Sequence, residues 1–98
     1  MKRRSPGIRT SGNVFQALGF APSEAEHLRV RAVMMNALVG HIRKRKMAQA
    51  HAAKLLGVTQ PRISDLMRGR IDLFSIDTLV DMLAAAGLRV DLRVRKAA

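Results

Sequence analysis

The 98-residue sequence contains no cysteine, tryptophan or tyrosine, and three phenylalanines are its only aromatic residues. Without cysteine, the chain can form neither a disulfide nor a thiolate metal site. Its three histidines, His27, His41 and His51, are too scattered to suggest a metal site, and its aspartates are dispersed as well. No glycine-rich phosphate loop, Ser/His/Asp set or cysteine nucleophile is present. We therefore expect neither an enzyme nor a protein that binds a cofactor.

Long apolar stretches are also missing. No apolar run approaches the roughly 18 residues that span a bilayer, and residues 1–13 lack the apolar core of a secretion signal. We expect a cytoplasmic protein that makes no membrane contact. A chain this short forms one domain with a modest core, which oligomerisation would help to stabilise.

Acidic residues are scarce. Seven Asp and Glu residues oppose 18 Lys and Arg residues, which gives a formal net charge of +11. Such an excess favours a polyanionic partner, most commonly nucleic acid. A basic membrane-surface helix would need a long helix with one charged and one bulky apolar face, whereas the basic clusters here lie at the ends of the expected elements. These clusters are residues 2–4, 43–46, 68–70 and 89–96.

Residues 49–66, with the sequence QAHAAKLLGVTQPRISDL, predict two short helices joined by a tight turn. Ala53 is small enough to lie where the two helices cross. Gly57 can adopt the left-handed backbone conformation that ends the first helix. Thr59 has the hydroxyl that caps a second helix, and Pro61 lies in its first turn, where no amide donor is missed. This pattern is typical of a helix-turn-helix that reads duplex DNA.

The second helix of the motif has an apolar face and a polar face. Ile63 and Leu66 are three residues apart and should pack back toward Ala53 and Leu55. The polar face should contact base edges in the major groove, since Gln pairs with adenine and Arg with guanine through two hydrogen bonds each. The predicted base-reading residues are Gln60, Arg62 and Ser64.

A long helix is expected before the motif. Pro22 and Ser23 open it, and Ser23 and Glu26 have the spacing of a capping box. The helix should reach about Arg45. Residues 1–20 show no helical period and predict a tail or an irregular arm.

We accordingly divide the chain into a basic N-terminal arm, residues 1–22, and a DNA-binding domain, residues 23–98. The arm contains an apolar set that is too concentrated for a purely disordered linker. Its members are Val14, Phe15, Leu18 and Phe20.

After the motif, Ser75 is placed to cap another helix, and Gly87 ends it. Over residues 88–94 the apolar period changes to two, which predicts a β-strand. A lone strand leaves its hydrogen-bonding edges open, so we expect it to pair antiparallel with the same strand of a second copy, or with a partner protein. The apolar positions of this dimer strand are Leu88, Val90, Leu92 and Val94.

The motif resembles the Xre/Cro-type helix-turn-helix family. The segments LMRGR and FSIDTLVDMLAAAGLRV, which follow it, make the chain similar to the small antitoxins of that family, the HigA-type partners of RelE-like toxins. The resemblance covers roughly residues 11–94, and it departs at Ala48, where the family more often has Thr or Ser as a helix cap. The residues that match the family framework are Gln49, Ala53, Gly57, Val58, Ile63 and Leu66.

The resemblance implies a mainly α-helical fold, a lambda-repressor-like bundle of four to five helices with a short C-terminal β-strand paired across a dimer. It also implies phosphate contacts by Gln49 at the start of the first motif helix, aided by the free amides there. Thr59, Arg68 and Arg70 are further phosphate candidates because of their positions around the motif. Asp65 either accepts a hydrogen bond from a cytosine amino group or forms an ion pair with Arg62 or Arg68.

The expected function is a homodimeric, nucleoid-associated transcriptional repressor that binds double-stranded DNA at a palindromic operator. As an antitoxin it would also neutralise a RelE-like toxin, and the candidate toxin contacts are Val14, Phe15, Leu18 and Phe20, although packing against the first long helix would equally explain these residues. One alternative is a regulator without a toxin partner, whose arm packs or enters the minor groove. The other is an interaction adaptor that does not read DNA.

Overall fold

A computed structural model describes residues 13–97, which form a bundle of five α-helices and one turn of 3-10 helix. The mainly helical fold confirms the predicted fold class. The basic cluster at residues 2–4 lies outside the described residues. None of the helices in the described range is both long and apolar enough to cross a membrane. The helices are α1 (Val14–Ala17), α2 (Pro22–Lys44), α3 (Gln49–Leu56), α4 (Gln60–Met67) and α5 (Ile76–Ala85), and the 3-10 turn is Ile71–Leu73.

The long helix α2 is the centre of the bundle, with α1 and α5 packed against it and with α3 and α4 closing the core. Every helix except α1 contributes buried apolar side chains. Full burial of one such side chain stabilises the fold by about 1.5–3 kcal/mol. The largest fully buried side chains are Phe74, Leu38, Ile63, Leu66, Leu79 and Met82.

Side-chain caps define where α4 and α5 begin. The Thr59 hydroxyl accepts a hydrogen bond from the backbone N–H of Arg62 at 3.3 Å, and the Ser75 hydroxyl accepts one from the N–H of Thr78 at 3.1 Å. Both caps confirm the sequence prediction, and each type of cap is worth about 1 kcal/mol. Helix α3 begins after Ala48 without a side-chain cap, as its sequence indicates.

The start of α2 differs from the prediction, because no capping box forms. The helix begins at Pro22 after Ala21, whose side chain makes no cap. Proline has a backbone φ suited to the first helical turn, so the helix starts before Ser23 and leaves this residue inside it. Glu26 instead accepts hydrogen bonds from Arg29, the shorter of them 2.6 Å long. These hydrogen bonds, together with the positive charge of Arg29, lower the pKa of the Glu26 carboxyl.

The N-terminal arm also differs from the prediction, since residues 14–17 are helical. The Asn13 side chain accepts a hydrogen bond from the backbone N–H of Phe15 at 3.2 Å and so caps α1. This helix is a single turn, too short for a helical period to be detected in the sequence. It lies against α2, which supports it.

The C-terminal segment, residues 88–97, forms no strand within the described chain. Its last ordered hydrogen bond joins the N–H of Leu88 to the carbonyl of Leu83 at 2.9 Å. Leu88 packs against the core, and Val90 is already exposed, whereas Leu92 and Val94 are 85% and 94% exposed. The prediction of a strand is wrong for the single chain, because a strand needs a neighbouring backbone to bond and none of residues 13–97 supplies one. The structure therefore gives no support for pairing across a dimer.

Candidate nucleic-acid interface

Helices α3 and α4 are joined by a turn that only three residues form. Gly57 has a φ of 71°, in the left-handed region, and its N–H bonds the carbonyl of Lys54. The N–H of Val58 bonds the carbonyl of Ala53 at 3.0 Å, and the Val58 side chain packs against the core. A Cβ at Gly57 would meet no atom within 4 Å, so the backbone conformation alone requires glycine here.

The packing of α3 on α4 corrects one detail of the sequence analysis. Leu56 is 6% exposed and lies in the core with Ala53, whereas Leu55 is 42% exposed. The two buried positions are three residues apart, as one face of a helix requires, and Leu55 lies about 100° around the helix from Leu56. The side chains that Ile63 and Leu66 meet are therefore those of Ala53 and Leu56, on the buried face.

The predicted base-reading residues do not share one face of α4. Gln60 is exposed, and Ser64 follows one turn later on the same side of the helix. Arg62 lies about 200° around the helix from Gln60, on the opposite flank of the buried residues Ile63 and Leu66. The structure thus brings Gln60 and Ser64 together and separates Arg62 from them.

The side chain of Arg62 is held against an aromatic ring. Its guanidinium carbon lies 4.7 Å from the centroid of the Phe74 ring. Phe74 is only 1% exposed, and Arg62 is half-buried. A cation over an aromatic face gains about 0.5–1 kcal/mol at exposed sites and about 2 kcal/mol when it is desolvated. The guanidinium therefore lies against an aromatic ring of the protein's own core, a contact that sequence analysis did not indicate.

A second arginine holds the segment that contains Phe74. Nη1 of Arg31, on α2, donates to the carbonyl of Ile71 at 3.2 Å and to that of Phe74 at 3.5 Å. The sequence offers a signal for this contact, because Arg31 lies three residues after Leu28 and four before Met35 and so adjoins the apolar face of α2. A cation in that position needs a hydrogen-bonding partner.

The four predicted phosphate-binding residues lie around the motif and differ in whether another residue already bonds their side chains. Gln49 is the exposed first residue of α3, Thr59 caps α4, and Arg70 is exposed after α4. Arg68 is exposed too, but it donates to the carboxylate of Asp65 at 2.9 Å. The ion pair expected for Asp65 is therefore made with Arg68, and the phosphate contacts of these four candidates stay predictions.

Residues 43–46 are a basic cluster of four exposed side chains at the end of α2, directly before α3. Between residues 13 and 97 only two ion pairs form, Arg29 with Glu26 and Arg68 with Asp65. No described acidic side chain therefore neutralises the cluster, and it adds positive charge beside the first motif helix. The same part of the chain contains no group of three or more His, Cys, Asp or Glu residues that could hold a metal ion.

The four predicted toxin contacts fall into two groups, a packed pair of aromatic rings and two exposed aliphatic side chains. The Phe15 and Phe20 rings pack edge to face, with centroids 6.4 Å apart and an angle of 68° between their planes. Val14 and Leu18 are exposed, and Phe20 is partly so. Self-packing against α2 therefore explains part of the apolar set, and two aliphatic side chains remain on the surface.

Comparison with known proteins finds a matching family model and a similar solved structure. A family model described as a helix-turn-helix domain matches residues 15–95. A solved structure, described as an XRE family transcriptional regulator, is 32% identical in sequence and has a TM-score of 0.69. The alignment covers 74% of this chain and 82% of that chain. No curated protein matches the chain.

Proposed function

Because the chain belongs to the Xre-type helix-turn-helix family, we propose that it is a sequence-specific DNA-binding transcriptional repressor. Family and fold are those of a DNA-binding transcription regulator, and specificity and repression are the further steps of the proposal. The observation that carries them is α4 itself, a capped helix in a chain of net charge +11, with a buried apolar face and with polar side chains that are exposed at Gln60 and half-buried at Arg62 and Ser64. Its action would be to occupy an operator and exclude other proteins from the promoter.

In the proposed complex, α4 lies in the major groove. Gln60 and Ser64 contact bases from one flank of the helix, and Arg62 does so from the other. A good two-bond contact between a side chain and a base contributes about 1–3 kcal/mol of discrimination. Gln49, Thr59, Arg68 and Arg70 bond phosphates and set the register, and Arg68 must share its guanidinium with Asp65.

A homodimer on a palindromic operator follows from the small reach of one helix. Two copies of α4 about 34–36 Å apart would enter successive major grooves on one side of the duplex. Residues 88–97 are the candidate dimer contact, since Leu92 and Val94 are exposed apolar side chains on unpaired backbone. Sedimentation equilibrium of the wild type and of a chain truncated after Leu88 tests this. The same number of subunits in both proteins would exclude the segment as the dimer contact.

An antitoxin role is the narrower form of the proposal. Val14 at the start of α1 and Leu18 directly after it are exposed aliphatic side chains, which a RelE-like toxin would cover. Co-expression with the product of the adjacent gene tests it. Relief of growth arrest by the wild type, lost in a Val14→Asp/Leu18→Asp variant that still folds, would support toxin neutralisation. An adjacent gene whose product is harmless would favour a regulator without a toxin partner.

The decisive experiment is a titration of the purified protein against the DNA upstream of its own gene and against a scrambled duplex of equal length. The salt concentration is fixed at about 150 mM, because the affinity for phosphates depends steeply on salt. A preference of about a thousandfold or more supports an operator-binding repressor. Equal affinity for both duplexes would contradict sequence reading and favour the adaptor role.

A further inference from the structure

Arg31 makes side-chain hydrogen bonds unlike any others in the described part of the chain. Its two bonds join residues 40 and 43 positions apart, whereas the other side-chain hydrogen bonds between residues 13 and 97 join residues at most three positions apart. The proposed DNA contacts give Arg31 no role. Arg31 itself is half-buried and lies on α2, outside the two motif helices.

The two acceptors of Arg31 define the connection between α4 and α5. The carbonyl of Ile71 begins the 3-10 turn and also accepts the backbone N–H of Phe74, at 3.3 Å. The carbonyl of Phe74 lies at the other end, directly before the α5 cap Ser75. By bonding both carbonyls, Arg31 holds the backbone at the two ends of the 3-10 turn, which is the only regular structure in this connection.

The ring of Phe74 is the link from this connection to α4. Its backbone is bonded by Arg31, its side chain fills the core, and one face of the ring lies under the guanidinium of Arg62 at 4.7 Å. The N–H donors of a guanidinium point outward in its own plane, and no side-chain hydrogen bond of Arg62 to another described residue is present. The donors are thus oriented but unused.

We propose that Arg31 is a positioning residue for base reading: it holds the connection that carries Phe74, and the Phe74 ring in turn orders the Arg62 guanidinium before DNA binds. This inference rests on the proposed function, in which Arg62 contacts a base. Ordering a flexible side chain in advance removes part of the entropy that binding would otherwise cost. It also favours the one geometry in which the planar guanidinium matches guanine, so the effect should fall on specificity.

The first experiment compares Arg31→Met with Arg29→Met. Both variants remove one positive charge from α2, but Arg29 pairs only with the exposed Glu26 on its own helix. The probes are the duplex that the wild type enriches most from a randomised library and a scrambled duplex of equal length, with active protein counted by stoichiometric titration. We expect Arg31→Met to lower the ratio of the two affinities about tenfold and Arg29→Met to leave it within about twofold.

The same change in an Arg62→Ala background separates positioning from general stability. If Arg31 acts through Arg62, Arg31→Met should cause no further loss of specificity once Arg62 is absent. An equal loss in both backgrounds, or an unchanged ratio in the wild-type background, would overturn the inference. Arg31→Gln, whose side chain is too short to bond both carbonyls, replaces Arg31→Met if that variant does not fold. It should also lower the ratio of the affinities for the enriched and the scrambled duplex.

A second measurement needs no DNA. Nitrogen-15 relaxation of the Arg62 Nε–H group reports how restricted the side chain is in the free protein. We expect restricted motion in the wild type and in Arg29→Met, and greater motion in Arg31→Met and in Phe74→Leu. A mobile Arg62 in the wild type would overturn the inference by itself. If the wild type instead enriches no duplex from the library but Arg62 is restricted as expected, the proposed function fails and the ordering of Arg62 by Arg31 stands.

Discussion

Helix α4 and the C-terminal segment, residues 88–97, are both amphipathic, but they end in opposite states. Ile63 and Leu66 of α4 are fully buried, whereas Leu92 and Val94 of the C-terminal segment are almost fully exposed. A helix bonds its own backbone and needs only a surface to cover its apolar face. An extended segment needs a second backbone as well. A periodic apolar pattern therefore forms a regular element within one chain only where that chain supplies both the backbone hydrogen-bond partners and the apolar surface that the element needs.

The strongest test of this comparison truncates one leucine in each region. Leu66→Ala should lower the free energy of unfolding by about 2–5 kcal/mol, because it leaves a cavity in the core. Leu92→Ala should change it by less than about 0.5 kcal/mol in the monomer. Urea unfolding at several protein concentrations measures both. A large, concentration-dependent loss in Leu92→Ala would break the contrast, since it would mean that a second copy covers the segment.

The two kinds of basic residue around α4 provide the next test. Arg62→Ala should weaken binding to the preferred duplex by about 1–3 kcal/mol and relax preference at one base position. Arg70→Ala should weaken binding to all duplexes alike and make affinity less dependent on salt. Affinities for preferred and scrambled duplexes over a salt series check this. Equal losses on both duplexes in Arg62→Ala would exclude base reading by this residue.

The turn before α4 can be tested at one glycine, with another as its control. Gly57→Ala should destabilise the fold by about 1–2 kcal/mol, because its left-handed backbone disfavours a Cβ. Gly40 lies inside α2 with open space around it. Gly40→Ala should therefore stabilise the protein by about 0.5–1 kcal/mol. Thermal unfolding of the two variants should move in opposite directions, and a shared direction would contradict the account of the turn.

A smaller loss is expected from the cap of α4. Thr59→Ala removes the hydroxyl that accepts from the N–H of Arg62, leaves the Thr59 carbonyl as its acceptor, and should cost about 1 kcal/mol. Ser23→Ala is the matched control, because Ser23 lies inside α2 and caps nothing. Its free energy of unfolding should stay within about 0.5 kcal/mol of the wild type. If Ser23→Ala lowers the free energy of unfolding as much as Thr59→Ala does, Ser23 caps a helix after all, and the start of α2 described above is contradicted.

The smallest effect concerns the pair of Glu26 and Arg29, a contact within one helix that needs no tertiary partner. Arg29 lowers the pKa of Glu26 in the folded state, so the unfolded state binds the proton more readily. The pair therefore stabilises the fold above the carboxyl's unfolded pKa, and this contribution is lost as the pH falls through the folded pKa. The melting temperature of the wild type should exceed that of Glu26→Gln slightly near neutral pH. We expect the difference to vanish in acid, and a constant difference would contradict the ion pair.

The predicted elements illustrate which features are readable from sequence. The end of α3 and the start of α4 follow from Gly57 and Thr59, which act within a few residues of their own positions. Helix α1 escaped prediction because a single turn has no period, and the capping box at Ser23 failed because Pro22 starts the helix earlier. The prediction of a strand over residues 88–94 was wrong because alternation records a preference for an extended chain, and no backbone among the described residues pairs with this segment.

The candidate interface was predictable to a similar extent. The polar residue types on α4 could be read from the sequence. For an ion pair of Asp65, the sequence narrowed the possible partners to Arg62 and Arg68. The separation of Arg62 from Gln60 and Ser64 follows from the helix period, but the ring beneath Arg62 does not. Nothing local connects Phe74 to α4, since the two meet only through the packed core.

The helix-turn-helix, the cap of α4 and the glycine turn could be read from local sequence, because each depends on backbone conformations and hydrogen bonds within a few residues. The positive charge, and with it the preference for a polyanion, is likewise a property of composition. Three features became visible in the packed structure: Leu56 and not Leu55 enters the core, Arg31 bonds the carbonyls of a distant connection, and Arg62 lies on Phe74. These contacts join residues far apart in sequence, so they exist only once packing of α2 against the other helices has brought them together.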